Sequence, residues 1–432
     1  MRSEQNFGYL KMRKRVVITG LGIAAPNAVS IPEFEAALRA GKSGITFHPK
    51  LKELNFNCQI GGKPDISEQK LSQYFSPLQL RGLNSSGIVY GVIAGTDAFK
   101  DAGLTIAPQD SPDWDTGIIF GTGILGVDKF REAIHLIDAG KTRRLGSTSV
   151  IQTMASGISA YLGGILGCGN QVTTNSSACT TGTEAILMGY ERIKAGKAKR
   201  MLVGSCGDDG PYVWGGFDAM RILPGAFNDN PQEASRPMSA TAAGFVPGSG
   251  AGALVLEELD SALERGVKIY GEVLGGDVNS GGQRGEGSMT AANNEAVQRC
   301  IKAALKSSGV KASEIDLING HLTATGRDSV EIKNWVTALD LKSAFPLINS
   351  IKGMTGHCLS ASGSIESVAS VLQLQHSFVF PNINCETINS EILALIPEES
   401  IPRKTIAKEI SVIAKASFGF GDVNAVILLK KY

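Results

Sequence analysis

A chain of 432 residues, 43% hydrophobic and 19% charged, is long enough for a sizeable core or a duplicated fold and too apolar for a disordered segment. Its formal net charge of +1 argues against nucleic acid or an anionic membrane as an obligatory partner. Its 7 cysteines, odd in number and without a C-x-x-C pair, argue against a disulfide framework or structural zinc and for a reducing compartment.

In chain order, residues 1–11 are expected to be a disordered extension ahead of Met12. The basic run Arg13-Lys14-Arg15 before an apolar stretch raises a secretory leader, but Gly20, Gly22 and Pro26 break that stretch. It is expected to be a first strand and turn of a cytoplasmic protein, and no apolar run reaches membrane-spanning length. Helices are predicted over Pro32–Ala40, Ser86–Ala102 and Val127–Ala139, with one buried helix over Ser149–Gly163. Strands are predicted at Val16–Gly20, Gly117–Phe120, Gln171–Ser177, Met201–Gly204 and Gly250–Leu256. The second half continues with strands at Tyr270–Leu274, Leu317–Asn319, Leu347–Ser350, Ile410–Lys415 and Ala425–Leu429. Its helices are predicted at Asn293–Ser308, Asp328–Leu339 and Gly363–Gln375. The alternation predicts an α/β architecture with largely parallel sheets. The division expected is 12–260 and 261–432, with a hint of duplication, since each half places a polar loop after a strand.

The most informative stretch is Gln171 to Ile193. Its start is rich in Thr and Ser, whereas Ile186, Tyr190 and Ile193 mark one face of a helix. Cys179 lies between, where a strand turns into a helix. Thr180 and Thr181 are placed to cap that helix and Gly182 to permit a tight turn. The helix dipole and free N–H groups there favour a thiolate. Only 5 histidines exist, and two stand in Gly- and Thr-rich loops after strands, in Asn319-Gly-His321-Leu-Thr323-Ala-Thr325 and in Lys352-Gly-Met-Thr-Gly-His357. Such loops collect the catalytic groups of open α/β sheets. His48, His135 and His376 lack these surroundings and are taken as structural. No carboxylate has helical ligand spacing to His321 or His357, so a metal site is not expected. Gly20-Leu-Gly22 and Gly121-Thr-Gly123 mimic a dinucleotide fingerprint, but Pro26 follows the first and no acidic strand end follows the second. Ser417–Asn424, with Phe418 and Phe420 among glycines, is expected to be a loop between strands that forms a mobile gate.

These motifs together resemble the β-ketoacyl synthases of the thiolase superfamily, closest to the type I and II enzymes that condense acyl groups on a free acyl carrier protein. The resemblance covers roughly residues 12–432. It includes Val16–Gly22, Ser177-Ala-Cys179-Thr-Thr-Gly182, Asn228–Pro237, Gly244-Phe-Val246, Gly250-Ala-Gly252, Lys352–His357 with Glu366, and Phe418–Gly421. It implies a five-layered αβαβα sandwich of two similar halves, usually a homodimer, or a heterodimer with a chain-length partner. It implies decarboxylative condensation of an acyl group with malonyl-acyl carrier protein to a 3-oxoacyl thioester, in fatty acid or polyene/polyketide synthesis. Cys179 matches the acyl-accepting nucleophile, and His321 and His357 match the histidines that act on malonyl. Lys352 and Glu366 match supporting charges. Thr323 and Thr325 match hydrogen-bond partners of the pantetheine arm. Phe420 matches the gating aromatic whose N–H shares the oxyanion hole with that of Cys179. Phe418 and Ile124 match substrate-lining positions. No metal or redox cofactor is implied, since the 4′-phosphopantetheine arm arrives on the carrier protein.

Several positions depart from the family pattern. Leu322 stands for a Gly, Ala324 for a Ser, and Ser239, Ala242, Ala243 and Ser249 replace usual acidic or basic residues. Asp422 and Val423 replace Gly-Thr after the gating loop. The core types survive, so the departures bear on substrate more than on reaction. Three other readings are weaker. A chain-length partner subunit typically lacks the Cys, a thiolase generally uses a second Cys, and a nucleotide-dependent oxidoreductase lacks its fingerprint.

Overall fold

The computed structural model describes residues 14–342 and 344–432; the extension expected at 1–11 lies outside them. Ten strands form the main sheet: β1 (Val16–Ala24), β2 (Thr116–Thr122), β3 (Val172–Thr173), β4 (Arg200–Gly207), β5 (Gly250–Glu258), β6 (Gly271–Ser280), β7 (Leu317–Asn319), β8 (Leu347–Asn349), β9 (Val412–Gly419) and β10 (Val423–Lys430). Their order is β8-β7-β9-β10-β6-β1-β5-β4-β2-β3. From the seam outward, the first half runs β1-β5-β4-β2-β3 and the second runs β6-β10-β9-β7-β8. Polarity repeats with order. The first three strands of each half are antiparallel neighbours, and the outer two join in parallel. The duplication hinted at in the sequence is therefore present in topology. The halves meet where β1 pairs antiparallel with β6, Val16 opposite Val273.

Largely parallel sheets were expected, and this expectation fails: the sheet is mixed. Apolar periodicity reports which face of a strand is buried, not its direction, so antiparallel β1, β5, β6 and β10 leave no distinguishing mark.

Six helices supply the other layers: α1 (Ser86–Asp101), α2 (Gly157–Leu166), α3 (Thr181–Lys194), α4 (Asn294–Ser308), α5 (Asp328–Leu339) and α6 (Ser362–His376). α1 and α2 cover the outer face of the first half, and α4 and α5 that of the second. α3 and α6 lie between the halves, packed on strands of both. The result is the five-layered αβαβα sandwich. α6 is buried along almost its whole length, which explains why it is rich in Ser, Gly and aliphatic residues.

The glycine pattern of Gly20 and Gly22 has a packing cause. A Cβ on Gly20 would sit 2.1 Å from the Ala98 carbonyl oxygen and one on Gly22 1.9 Å from that of Ala94. The two glycines let α1 lie directly on β1, a close approach that serves the core and needs no nucleotide.

Three local expectations are corrected. Ser149–Gly163 is two helices, Ser149–Thr153 and α2, broken at Met154, whose backbone is extended. Only Val172 and Thr173 of Gln171–Ser177 pair as a strand. Helices Pro211–Ala219 and Leu259–Arg265 were not expected; the first carries Gly215 and Gly216, which mask its period. Among the described residues, no helix is long and apolar enough to cross a membrane.

Candidate active site

Cys179 lies in a 3-10 turn, Ala178–Thr180, that leads directly into α3. Ala178 has φ +48°, an uncommon backbone state for a residue with a Cβ. The turn is held by its hydroxyls. Thr180 Oγ1 donates to the Ser177 carbonyl at 2.6 Å, Thr181 Oγ1 donates to the Ala178 carbonyl at 2.7 Å, and the Ser177 N–H donates to Thr181 Oγ1 at 2.9 Å. The threonines thus brace the elbow and do not cap the N–H groups of α3, as the sequence suggested. Gly182 makes a close approach and no turn: a Cβ there would lie 2.4 Å from the Ser364 N and 2.5 Å from Ser205 Oγ.

Cys179 is half-buried, and it opens onto the cavity that it lines. Burial pushes its thiol up to about 11, against the opposite pull of the Phe420 N–H, the Lys352 ammonium and its own N–H. These N–H groups pull toward the thiolate, as expected of the helix terminus, and desolvation of the charge is the larger effect. The N–H groups of Phe420 and Cys179 do converge on the sulfur, which is the arrangement needed for an oxyanion hole. Close approach of the gating strand permits it: a Cβ on Gly419 would be 3.1 Å from the Cys179 N.

The ligand atoms of Cys179, His321 and His357 lie within 4.8 Å of one another. The two imidazoles meet edge to face, with centroids 5.3 Å apart. The Leu359 N–H donates to His357 Nδ1 at 3.0 Å. That bond makes Nδ1 an acceptor and leaves the proton on Nε2 as a free donor. Burial, then the Lys352 and Lys415 ammoniums, hold His357 well below its usual range; the same forces, with His357 itself, do so for His321. Both rings are neutral donors at physiological pH.

The His321 loop hangs from two acids of α5. Glu331 accepts the N–H groups of His321 and Leu322, each at 2.8 Å. Asp328 accepts those of Thr323, Ala324 and Met238 at 2.9, 3.2 and 2.8 Å. The isolated sequence did not reveal either role, because both acids resemble ordinary first-turn residues of a helix. Asp328→Ala is expected to strand three N–H groups, two of them buried, and to lower stability by about 3 kcal/mol. A urea unfolding midpoint equal to that of the unaltered protein would contradict this.

One cavity of about 570 Å³ gathers the site. Its lining includes Cys179, His321, His357, Thr323, Thr325, Ile124, Phe418 and Phe420. Lys352 and Glu366 do not reach it; they form a buried ion pair behind the imidazoles. Lys415, which the sequence did not single out, joins Glu366 from the other side at 2.8 Å. Phe217, from an unexpected helix, and Phe245, from Gly244-Phe-Val246, were also missed. Phe217 stacks at a tilt on Phe420 with centroids 6.1 Å apart, and Phe245 meets His357 edge-on at 5.2 Å. His48 is engaged elsewhere, with Gly61 and Trp214.

The expected mobile loop is a tight turn between β9 and β10. Gly421 has φ +87° and Asp422 φ +61°. Asp422 is fully buried, and its carboxylate accepts the Asn293 N–H at 2.8 Å and the Gln283 N–H at 3.0 Å. The Gly421 N–H donates to the Met289 carbonyl at 2.7 Å. The turn is thus tied to segment 281–293, which contributes Thr290, Ala291 and Ala292 to the cavity wall.

Comparison with known proteins agrees with this geometry. The model of the β-ketoacyl synthase N-terminal domain matches residues 13–262, and that of the C-terminal domain matches residues 270–386. The chain is 34% identical over 430 residues to 3-oxoacyl-[acyl-carrier-protein] synthase 1 of Escherichia coli, covering 97% of this chain and 99% of that protein. It is 33% identical over 429 residues to 3-oxoacyl-[acyl-carrier-protein] synthase 2 of Synechocystis, with 97% and 99% covered. A β-ketoacyl synthase from Burkholderia phymatum superposes with a TM-score of 0.86 at 27% identity, over 97% of this chain and 100% of that one. The ishigamide ketosynthase/chain length factor superposes with the same score, 0.86, at 26% identity and the same coverage, 97% and 100%. With both family models matched and relatives aligned from end to end, the chain belongs to the β-ketoacyl synthase family.

Proposed function

We propose that this chain performs a decarboxylative Claisen condensation, joining an acyl group held on Cys179 to malonyl-acyl carrier protein and releasing 3-oxoacyl-acyl carrier protein. The observation that carries this reading is the meeting of one cysteine sulfur with two neutral imidazole donors at the wall of a largely apolar cavity. Cys179 loses its proton and attacks the acyl thioester, and the proton ends on the departing carrier thiol. The Cys179 and Phe420 N–H groups receive the oxyanion. The carboxylate carbon of malonyl then leaves as CO₂, and its bonding electrons pass into an enolate that the His321 and His357 N–H groups stabilise. The carbanion attacks the acyl-cysteine carbonyl, the C–S bond breaks, and the thiolate takes a proton from solvent. Thr323 and Thr325, whose hydroxyl oxygens lie 3.1 Å apart in the cavity, are suited to the amides of the pantetheine arm. The test is incubation with acyl carrier and malonyl carrier thioesters: a product two carbons longer with release of CO₂ is expected, and loading without elongation would contradict it.

The partner is a carrier protein, in line with the neighbouring structure titled as a type II polyketide ketosynthase in complex with its acyl-carrier protein, AntDE:AntF. Exposed Lys141, Arg143 and Arg144 would suit an acidic partner surface. A homodimer is supported by edge strand β3, whose Val172 is exposed, and by the exposed Trp114. A cytoplasmic setting is supported by the 7 cysteines, all of them free thiols.

The Asp422 anchor bears on substrate range. A gate that moves Phe420 must break two hydrogen bonds from segment 281–293 to the Asp422 carboxylate, and β-branched Val423 stiffens the next residue. A narrower acyl range is expected than with Gly-Thr at these positions. Acyl-loading profiles across chain lengths for the unaltered protein and for Asp422→Gly with Val423→Thr check this; identical profiles would remove the idea.

A further inference from the structure

Lys415 lies on β9, three residues before Phe418, and its exposure is 0%. Its Nζ donates to Thr183 Oγ1 at 2.8 Å and to Ser417 Oγ, and stands 2.8 Å from Glu366 Oε2. The Glu366 contact is close but off the line of a hydrogen bond, so it acts mainly as a charge contact. Two hydroxyl acceptors and the Glu366 charge favour an ammonium there, against the burial that lowers it. The other Glu366 oxygen is taken by Lys352. One carboxylate therefore faces two ammoniums, with every side chain at most 2% exposed.

The charges do not cancel. Lys352 with Glu366 alone would be a neutral pair, and Lys415 leaves the cluster one positive charge in surplus. The other carboxylate facing it is Glu331 on α5, which burial pushes up to about 7. Glu331 is thus only a partial counter-charge near neutrality. Lys352 is the like charge beside Lys415, and Lys415 in turn acts on both imidazoles, less strongly than burial and Lys352 do. A buried surplus charge is costly unless something nearby uses it.

We propose that Lys415 is a positioning residue of the condensation: its ammonium adds to that of Lys352 behind His321 and His357, favouring N–H-donating rings beside the developing enolate, while its contacts fix α3 against α6 and the gating strand. The inference rests on the condensing reaction proposed above. A positive charge behind the rings opposes their protonation and favours negative charge in front of them. Lys415 also links three elements of the site. Thr183 is in the first turn of the nucleophile helix, Glu366 is on the helix that follows His357, and Ser417 leads into the gate.

The test compares Lys415→Met, which removes charge and donors, with Lys415→Gln, which removes the charge and keeps a donor for Thr183 or Ser417. Two pH profiles are measured on the full chain: CO₂ release from malonyl carrier, and acyl loading of Cys179. In both variants the acid limb of CO₂ release is expected to move up by on the order of one pH unit, with the shape of the loading profile and the KM for malonyl carrier unchanged. Loading and decarboxylation that fall by the same factor, with the acid limb unmoved, would show a merely structural lysine and overturn the proposal. If neither variant folds, the unaltered protein decides through its imidazole NMR titration: a His321 or His357 that takes up a proton at the ordinary imidazole value overturns it. An unaltered protein that neither loads acyl groups nor releases CO₂ would instead refute the condensing reaction itself.

Discussion

Cys179→Ala is expected to abolish acyl transfer, lowering loading by at least about 10⁴-fold because no other group can take the nucleophile's place. Intact-mass analysis of the unaltered protein with acyl carrier thioester should show one acyl adduct, absent from the variant. The competitor to exclude is Cys358, which lines the same cavity. Its sulfur is buried, its thiol is pushed up to about 12 by that burial, and it is engaged with the Thr355 carbonyl. Cys179 opens to the cavity and has two N–H groups turned toward its sulfur. An adduct mapped to Cys358 would overturn the assignment. The raised thiol adds a sign: at neutral pH the thiolate fraction is small, so the loading rate should climb steadily between about pH 7 and 9 without reaching a plateau. A plateau near neutrality would mean that substrate binding removes the desolvation cost.

His321→Ala and His357→Ala should each lower CO₂ release from malonyl carrier by about 10²–10³-fold, the usual loss when one preorganised donor to an oxyanion is removed. Acyl loading should be much less affected, because the oxyanion of that step lies under backbone N–H groups. His357 has its tautomer fixed by the Leu359 N–H, so His357→Gln, which keeps a donor without that bond, should recover only part of the rate. Both rings are held well below the ordinary imidazole value. Decarboxylation by the unaltered protein should accordingly be flat across neutral pH and fall only in acid, where the rings take up protons. Release of CO₂ by either alanine variant at the rate of the unaltered protein would remove the imidazoles from this step.

The alternation of helices and strands, and the loops that carry the motifs, were legible in the sequence. Leu317–Asn319 and Asp328–Leu339 form with the bounds predicted, and Asn293 caps α4 through the Ala296 N–H. Periodicity and capping are local, involving residues a few positions apart, so a chain read by itself contains them. Cys179, His321 and His357 stand out by residue type and loop setting within their own segments, whereas Thr323, Thr325 and Phe420 are reached through the family resemblance.

Only the tertiary structure decided what depends on distant neighbours. Strand direction depends on how connections cross the sheet, and it made the sheet mixed where parallel strands were expected. The state of the Cys179 thiol is a balance of desolvation against dipole and charge, summed over segments from both halves, and burial prevails. Asp328 and Glu331 become anchors only because the His321 loop folds back over the start of α5. Lys415 is an unremarked lysine in a strand until β9 brings it beside Glu366 and Thr183. The sequence by itself determined which chemical groups are available and on which elements they stand. Folding determined how each is charged and what it touches, because burial and charge pairing are set by residues far apart along the chain.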